Sequence, residues 1–328
     1  MLLHLDTDLG GNPDDACALA MLLGWPDLEL AAITTALDPG GRRAGCVDHV
    51  LGLAGRDEVE VVAGAAMSST VRESADLADR DTRHWPPDLE ARPASAGAAL
   101  DCLERSIARG AVVAAIGPLT NLAALELLRP GALSGAEVVV MGGWVDPPAP
   151  GKPAWGPARD FNIQWDTRAA STVFAAAGTL TLVTLPGTLS AHLTDAELPA
   201  LRALGHLGEL LAQQGKARAE DAGMTELRRA HAGLPDDLVN FHFDPVTCAV
   251  AAGWTKVRSE LTRLSPVLEN DVLRFRRDAA GRQVRVITDV DGVAFADVWF
   301  TAVKEAARAR GSRSARPTAR SSAPTRRR

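Results

Sequence analysis

Seven short runs of aliphatic and β-branched residues recur along this chain with helix-like stretches between them, and that alternation limits the possible folds more than any other feature. The runs are Leu2–Leu5, Leu28–Thr35, Val59–Ala63, Val112–Ile116, Val138–Met141, Leu180–Leu185 and Val284–Ile287. They are apolar nearly throughout instead of alternating with polar residues, which is the pattern of strands buried on both faces. Between them, Asp14–Leu23, Ala98–Ala108, Leu119–Leu128, Thr167–Ala177 and Ala196–Gln213 carry Leu and Ala at helical spacing. Strand and helix in alternation imply an α/β fold, an open and mostly parallel sheet with helices on both faces. Active sites in such sheets lie at the carboxyl ends of the strands, so the loops Asp6–Pro13, Ala36–Arg43, Gly117–Thr120 and Gly142–Asp160 are the places to look.

Composition narrows the class. At 46% apolar and 23% charged residues the chain reads as a soluble folded protein, and no apolar run approaches the roughly 18 residues of a membrane span. The start, MLLHLDTD, has too short an apolar run and no basic flank for a signal peptide, so a cytoplasmic location is expected. The four cysteines, Cys17, Cys46, Cys102 and Cys248, lie far apart without CxxC spacing and are expected to be buried thiols. The net charge of −6 conceals an asymmetry, because residues 308–328 hold eight arginines and no acid, leaving 27 basic against 41 acidic residues, or −14, for 1–307. A folded part so acidic is a poor nucleic-acid surface. The expected organisation is one folded domain over 1–307 and a disordered Arg-rich tail over 308–328.

The strongest local signal is Asp6-Thr-Asp8-Leu-Gly10-Gly-Asn12-Pro-Asp14-Asp15, directly after the first strand and before a helix. Asp14 and Asp15 could serve the helix start as dipole partners or a cap. Capping does not explain Asp6 and Asp8 at the strand end. Four carboxylates within ten residues repel one another unless a cation or donors compensate, and a hard divalent cation bound by carboxylate oxygens accounts for the whole set. A phosphatase of the haloacid dehalogenase type, with Asp6 as nucleophile and Mg²⁺ alongside, also places a DxD at a first strand end. That motif expects Thr or Val where Gly10 stands and has no use for Asp14-Asp15. The later Asp289-Val-Asp291-Gly292 has too little chain after it for such a domain and reads as a turn or helix cap.

The Asp-rich loop resembles the nucleoside hydrolase family, the inosine-uridine preferring ribohydrolases, whose signature runs DxDxGxDDA; here two residues are inserted between Gly10 and Asp14. The resemblance continues through Ile33-Thr-Thr35, Val61-Val-Ala-Gly64, Ile116-Gly-Pro-Leu-Thr-Asn-Leu-Ala123, Val140-Met-Gly-Gly143, Asp160-Phe-Asn-Ile163 with Asp166, and Asp244-Pro245. These blocks occur in family order over most of residues 1–300.

The resemblance implies a Ca²⁺ ion held by the carboxylates of Asp8, Asp15 and Asp244 and by the backbone carbonyl of Thr120. It implies that Asp8 also orients and deprotonates the attacking water. Asp14 and Asn162 would hold ribose hydroxyls, Asp160 stands where the family has a Glu for the sugar's 5′ end, and Asp38 falls near the family's sugar-binding Asn or Asp. His84, in the segment before Trp85-Pro-Pro, matches a region that lies over the base, and Trp85, Trp155 and Phe243 are candidate base-stacking aromatics. The family places a His immediately before its C-terminal Asp to assist the departing base. Here Phe243 occupies that place and His242 is one residue back, which in extended backbone points the other way; His242 is the candidate acid.

The physical chemistry is consistent with the resemblance. Cleaving an N-ribosidic bond builds positive charge on the ribose, which an anionic pocket stabilises. The implied activity is Ca²⁺-dependent hydrolysis of ribonucleosides to ribose and free base by a homodimer or homotetramer, with no nucleic-acid or membrane partner. Loss of the acid would leave a calcium- and ribose-binding protein of the same fold.

Overall fold

The computed structural model describes residues 1–70 and 85–314. Among these residues nine strands form one sheet: β1 (Leu2–Thr7), β2 (Glu29–Thr35), β3 (Val61–Ala63), β4 (Val112–Ala115), β5 (Glu137–Met141), β6 (Thr179–Val183), β9 (Val257–Glu269), β10 (Val272–Arg277) and β11 (Arg282–Val290). Their order across the sheet is β10-β9-β11-β6-β5-β4-β1-β2-β3. From β3 across to β11 every pairing is parallel, and only β9 and β10 join antiparallel at one edge. A separate two-stranded antiparallel ribbon pairs β7 (His192–Thr194) with β8 (Leu238–Phe241).

The apolar runs are continuous because the sheet divides their side chains between two cores. In β4, Val112 and Ala114 face one core while Val113 and Ala115 face the other; in β5, Val139 and Met141 oppose Val138 and Val140. The first core also takes in the helices Pro13–Leu23, Phe243–Ala251 and Gly292–Ser314, and the second takes in Thr120–Leu128 and Thr167–Ala176. Full burial of each such side chain is worth roughly 1.5–3 kcal/mol, so a polar residue on either face of these strands would be costly. Trp299 is completely buried in the first core and donates its indole N–H to the carbonyl of Cys17 (3.2 Å). All four cysteines are buried free thiols.

Three departures from the sequence reading have physical causes. The helix expected over Ala196–Gln213 is broken: a short helix Leu198–Arg202 ends before Gly205 (φ 87°), and a second runs His206–Asp221. Gly at positive φ reverses the chain where a Cβ would be strained. The helix Arg42–Ala54 begins inside the expected loop Ala36–Arg43, nucleated by a buried carboxylate described below. The C-terminal helix Gly292–Ser314 continues past Arg308, the expected start of the disordered tail, because Ala and Arg extend an existing helix at little cost. Residues 315–328 lie outside the described residues. Among the described residues no helix is long and apolar enough to cross a membrane.

Along the sheet the chain runs outward from β1 to β2 and β3 on one side, and from β4 through β5 and β6 on the other. The reversal falls between β1 and β4. Loops at their carboxyl ends diverge there and leave a crevice, the usual ligand position in open α/β sheets.

Candidate active site

The crevice is a cavity of about 520 Å³. Its walls include Asp8, Asp14, Asp15, Asp160, Asn162 and Asp244, so six residues singled out in the sequence converge on it from three separate segments. The aromatic part of the wall comes from Trp155, Phe161, Phe241 and Phe243.

The bend from β1 into the first helix is held by Thr7, whose hydroxyl donates to Asp15 Oδ1 (2.5 Å) and accepts the amide of Leu9 (3.1 Å). Pro13 opens the helix, where its missing N–H costs nothing. Neither Asp14 nor Asp15 caps that helix. Asp14 reaches instead to the second helix start, where its Oδ2 accepts the amide of Asp244 (3.2 Å), and its Oδ1 is buried without a partner among the described residues. Two helices, Pro13–Leu23 and Phe243–Ala251, therefore begin with acids in their first turns at one cavity, where their dipoles favour negative charge. Gly117, after β4, is packed so closely that a Cβ there would sit 2.9 Å from Asp8 Oδ1.

Electrostatics set these carboxylates apart. Burial is the main force against ionisation in each, and repulsion from neighbouring carboxylates adds to it in Asp14, Asp15 and Asp244. Asp15 is pushed up to about 8 by burial and by the charge of Asp8, while Asp244 is held well above the ordinary range by burial and by Asp14, Asp15 and Asp8. Asp14 is raised likewise, with Asp15 contributing. Among the described residues, no group of three or more His, Cys, Asp or Glu side chains stands ready as a metal cage. The donor set nevertheless has hard-cation chemistry: oxygen donors only, and an orphan buried oxygen on Asp14.

On the far wall Asp160 caps the short helix Phe161–Trp165, accepting the amides of Gly143 (2.5 Å) and Ile163 (3.3 Å), and burial raises it to about 7. Asn162 donates to the carbonyls of Ile116 (2.9 Å) and Met141 (3.1 Å), which ties the ends of β4 and β5 to the cavity wall.

Several expected residues fall elsewhere. His242 does not reach the cavity: it is buried against Trp299 and Phe295, with ring centroids 4.4 and 5.7 Å away, and neither ring nitrogen has a hydrogen-bond partner among the described residues. Burial lowers it to about 3, which favours the neutral ring, and its place in the core holds it away from the cavity. The one-residue displacement relative to Asp244 turns it into the core, and Phe243, stacked on Phe241 (5.1 Å), takes the cavity side. Asp38 is also outside the cavity. Its carboxylate accepts the hydroxyl of Thr35 (2.7 Å) and the amides of Arg43 and Ala44 (2.9 Å each), which starts the helix Arg42–Ala54. Thr120 turns its hydroxyl to Asp166 Oδ2 (2.9 Å), and it is not among the cavity-lining residues. Trp85 is buried, donating to the carbonyl of Gly10 (2.9 Å), and His84 lies outside the described residues.

Asp6 sits beneath the site, fully buried, accepting the hydroxyl of Thr34 (2.5 Å) and the amide of Asn121 (2.8 Å). It does not line the cavity, which removes the geometry that a phosphatase nucleophile requires. Asn121 is a brace, also donating to the Thr35 carbonyl (2.9 Å) and accepting the Ala65 amide (2.8 Å). Asp291 accepts the Ala294 amide (3.0 Å), so the second DxD is a helix cap. The sequence reading missed three cavity arginines, Arg43, Arg159 and Arg218; isolated basic residues in polar stretches carry no local signal of which way they face.

The family model for inosine-uridine preferring nucleoside hydrolases matches residues 3–297. The pyrimidine-specific ribonucleoside hydrolase RihA of Salmonella newport (strain SL254) is 30% identical over 219 residues, 63% of this chain and 68% of that protein. RihA of Klebsiella pneumoniae is 31% identical over the same shares. Among solved structures, a purine-preferring ribonucleoside hydrolase from Gardnerella vaginalis superposes with a TM-score of 0.76 at 24% identity, covering 93% of this chain and 99% of that one. The plant nucleoside hydrolase PpNRh1 gives 0.75 at 20% identity, with 92% and 99% covered.

Proposed function

Since the chain belongs to the inosine-uridine preferring nucleoside hydrolase family and is by that membership a nucleoside N-ribohydrolase, we propose that it cleaves ribonucleosides to ribose and free base at the carboxylate cavity with the help of Ca²⁺. The observation that carries this reading is the convergence of Asp8, Asp14, Asp15 and Asp244, all raised in pKa, on one cavity that also holds Asp160 and Asn162. Carboxylates so disfavoured as anions are stabilised by a cation, whether a bound metal or the cationic ribose of the transition state.

Asp8, Asp15, Asp244 and the Thr120 carbonyl would hold the calcium ion, which when bound supplies a template for water and for two vicinal ribose hydroxyls. Asp8 orients the water and takes its proton as the oxygen approaches the anomeric carbon. Asp14 and Asn162 bind ribose hydroxyls, fixing the sugar so that little orientational freedom is lost in the transition state. Asp160 holds the 5′ end. Trp155 and Phe243 flank the base with aromatic faces. The names of the relatives divide between pyrimidine and purine preference, so the base is the variable to assay.

Asp8→Asn tests the reading, because it removes a ligand and the base together. Calorimetric titration is expected to show loss of calcium binding, and ribose release is expected to cease. Calcium affinity retained in that variant would remove Asp8 from the ligand set. A homodimer or homotetramer located in the cytoplasm completes the proposal, with light scattering as the check on assembly.

A further inference from the structure

Among the described residues three cations reach the cavity, and they are not equivalent. Arg43 is engaged by main chain, its Nε donating to the Leu37 carbonyl (2.8 Å) and an Nη to the Asp8 carbonyl. Arg159 lays its guanidinium over Trp155, 5.5 Å from the ring centroid. Arg218, near the end of the helix His206–Asp221, buries its Nε with no hydrogen-bond partner among the described residues. A buried N–H left unpaired costs about 1–3 kcal/mol, and a guanidinium does not escape that cost by losing its proton. Arg218 lines the cavity, and with no protein acceptor among the described residues engaging its Nε the guanidinium is suited to an acceptor that arrives with the substrate.

The cavity has the complementary need. When the N-ribosidic bond breaks, the base departs with the bonding pair and carries negative charge on its ring nitrogens and carbonyl oxygens. No histidine among the described residues faces it: His242 lies in the core, and Phe243 has only an apolar ring to offer. We propose that Arg218 is the residue that stabilises the departing base, and that its contribution is greatest where the base spreads its charge onto carbonyl oxygens, as in uridine and inosine, and smaller for adenosine. This rests on the hydrolase reading of the same cavity.

The step balances without a further reagent. The C1′–N bond breaks with its pair passing to the base nitrogen, and the water oxygen bonds C1′ while its proton passes to the Asp8 carboxylate. Arg218 holds the base anion by N–H donation and keeps its own protons. The anion then takes a proton from solvent, to which Asp8 returns the one it accepted. A fixed cationic donor acts here as an oxyanion hole acts in acyl transfer.

The test compares the wild type with Arg218→Gln and Arg218→Lys, in calcium, on uridine, inosine, adenosine and p-nitrophenyl riboside. Nitrophenolate is a stable anion and needs least help in leaving. Arg218→Gln is expected to lower kcat/KM on uridine and inosine by about 10²–10³, on adenosine by less, and on the nitrophenyl riboside by no more than about threefold. Arg218→Lys, which keeps charge without the fork, is expected to recover part of the loss on uridine and provides the comparison should the Gln variant not fold. Equal losses on all four substrates in either folded variant would overturn the proposal, leaving Arg218 as a counter-charge for Asp14. A wild type that cleaves none of them would instead strike down the hydrolase reading of the cavity, a result distinct from any behaviour of the variants.

Discussion

Replacing His242 with leucine separates stability from catalysis at a position where sequence and structure disagree about chemistry. A neutral imidazole has one donor and one acceptor, and here both are buried without partners among the described residues. Each such group costs about 1–3 kcal/mol, while losing the ring contact with Trp299, at 4.4 Å between centroids, costs about 1 kcal/mol. Near neutral pH the variant is therefore expected to be more stable by about 1–5 kcal/mol. The gain should grow in acid. In the folded chain His242 is lowered to about 3 from its ordinary 6.5, so below 6.5 the unfolded chain binds a proton that the folded one refuses. Stability from this group is complete above 6.5 and falls by about 1.4 kcal/mol per pH unit below it, amounting to about 2 kcal/mol at about pH 5. The leucine side chain titrates nothing, so urea unfolding should show the difference between variant and wild type widening by about 2 kcal/mol over that range, from about 1–5 to about 3–7 kcal/mol. Nucleoside turnover near neutral pH should stay within about twofold. A folded His242→Leu protein with kcat/KM down by about 100-fold or more would refute the reasoning, because general acids contribute on that scale.

Two further outcomes follow from the site. Calcium at about 100 times its dissociation constant should stabilise the protein by about 2.7 kcal/mol and raise Tm by about 5 °C in differential scanning calorimetry, and Asp15→Asn should abolish that shift while making the calcium-free protein more stable, since it removes a buried charge that Asp8 and Asp244 oppose. Asn121→Ala removes donors to Asp6 and the Thr35 carbonyl and an acceptor for the Ala65 amide, and should cost about 2–4 kcal/mol by chemical denaturation; a loss below about 0.5 kcal/mol would show that this brace carries no weight.

The parallel core was legible because burial on both faces forces nearly unbroken apolar runs, and those runs mark β1 to β6 and β11 to within a few residues. The antiparallel strands β9 and β10 were not, since one-sided exposure leaves them a mixed composition, as in Arg258-Ser-Glu-Leu-Thr-Arg263. Within the site, acids at strand ends and helix starts could be located because backbone geometry fixes where such positions lie. Asp8, Asp14, Asp15, Asp160, Asn162 and Asp244 are of this kind. Direction was harder. His242 and Phe243 are adjacent, and which of them faces the cavity depends on how β8 hands over to the helix Phe243–Ala251. Asp38 has the residue type for a sugar contact, yet the free amides of Arg43 and Ala44 claim both its oxygens. The arginines were invisible for another reason: a long flexible side chain on an amphipathic helix can meet solvent or a cavity with the same sequence around it.

Ribose release, followed with a reducing-sugar assay in calcium and again in excess chelator, tests the central claim most directly. The panel is inosine, uridine, adenosine, cytidine and p-nitrophenyl riboside. The carboxylate cavity predicts ribose from at least one natural nucleoside in calcium, none in chelator, and recovery when calcium is restored. Turnover unaffected by chelation would contradict the calcium site, and no ribose from any substrate with calcium bound would contradict the assignment of hydrolysis to this cavity.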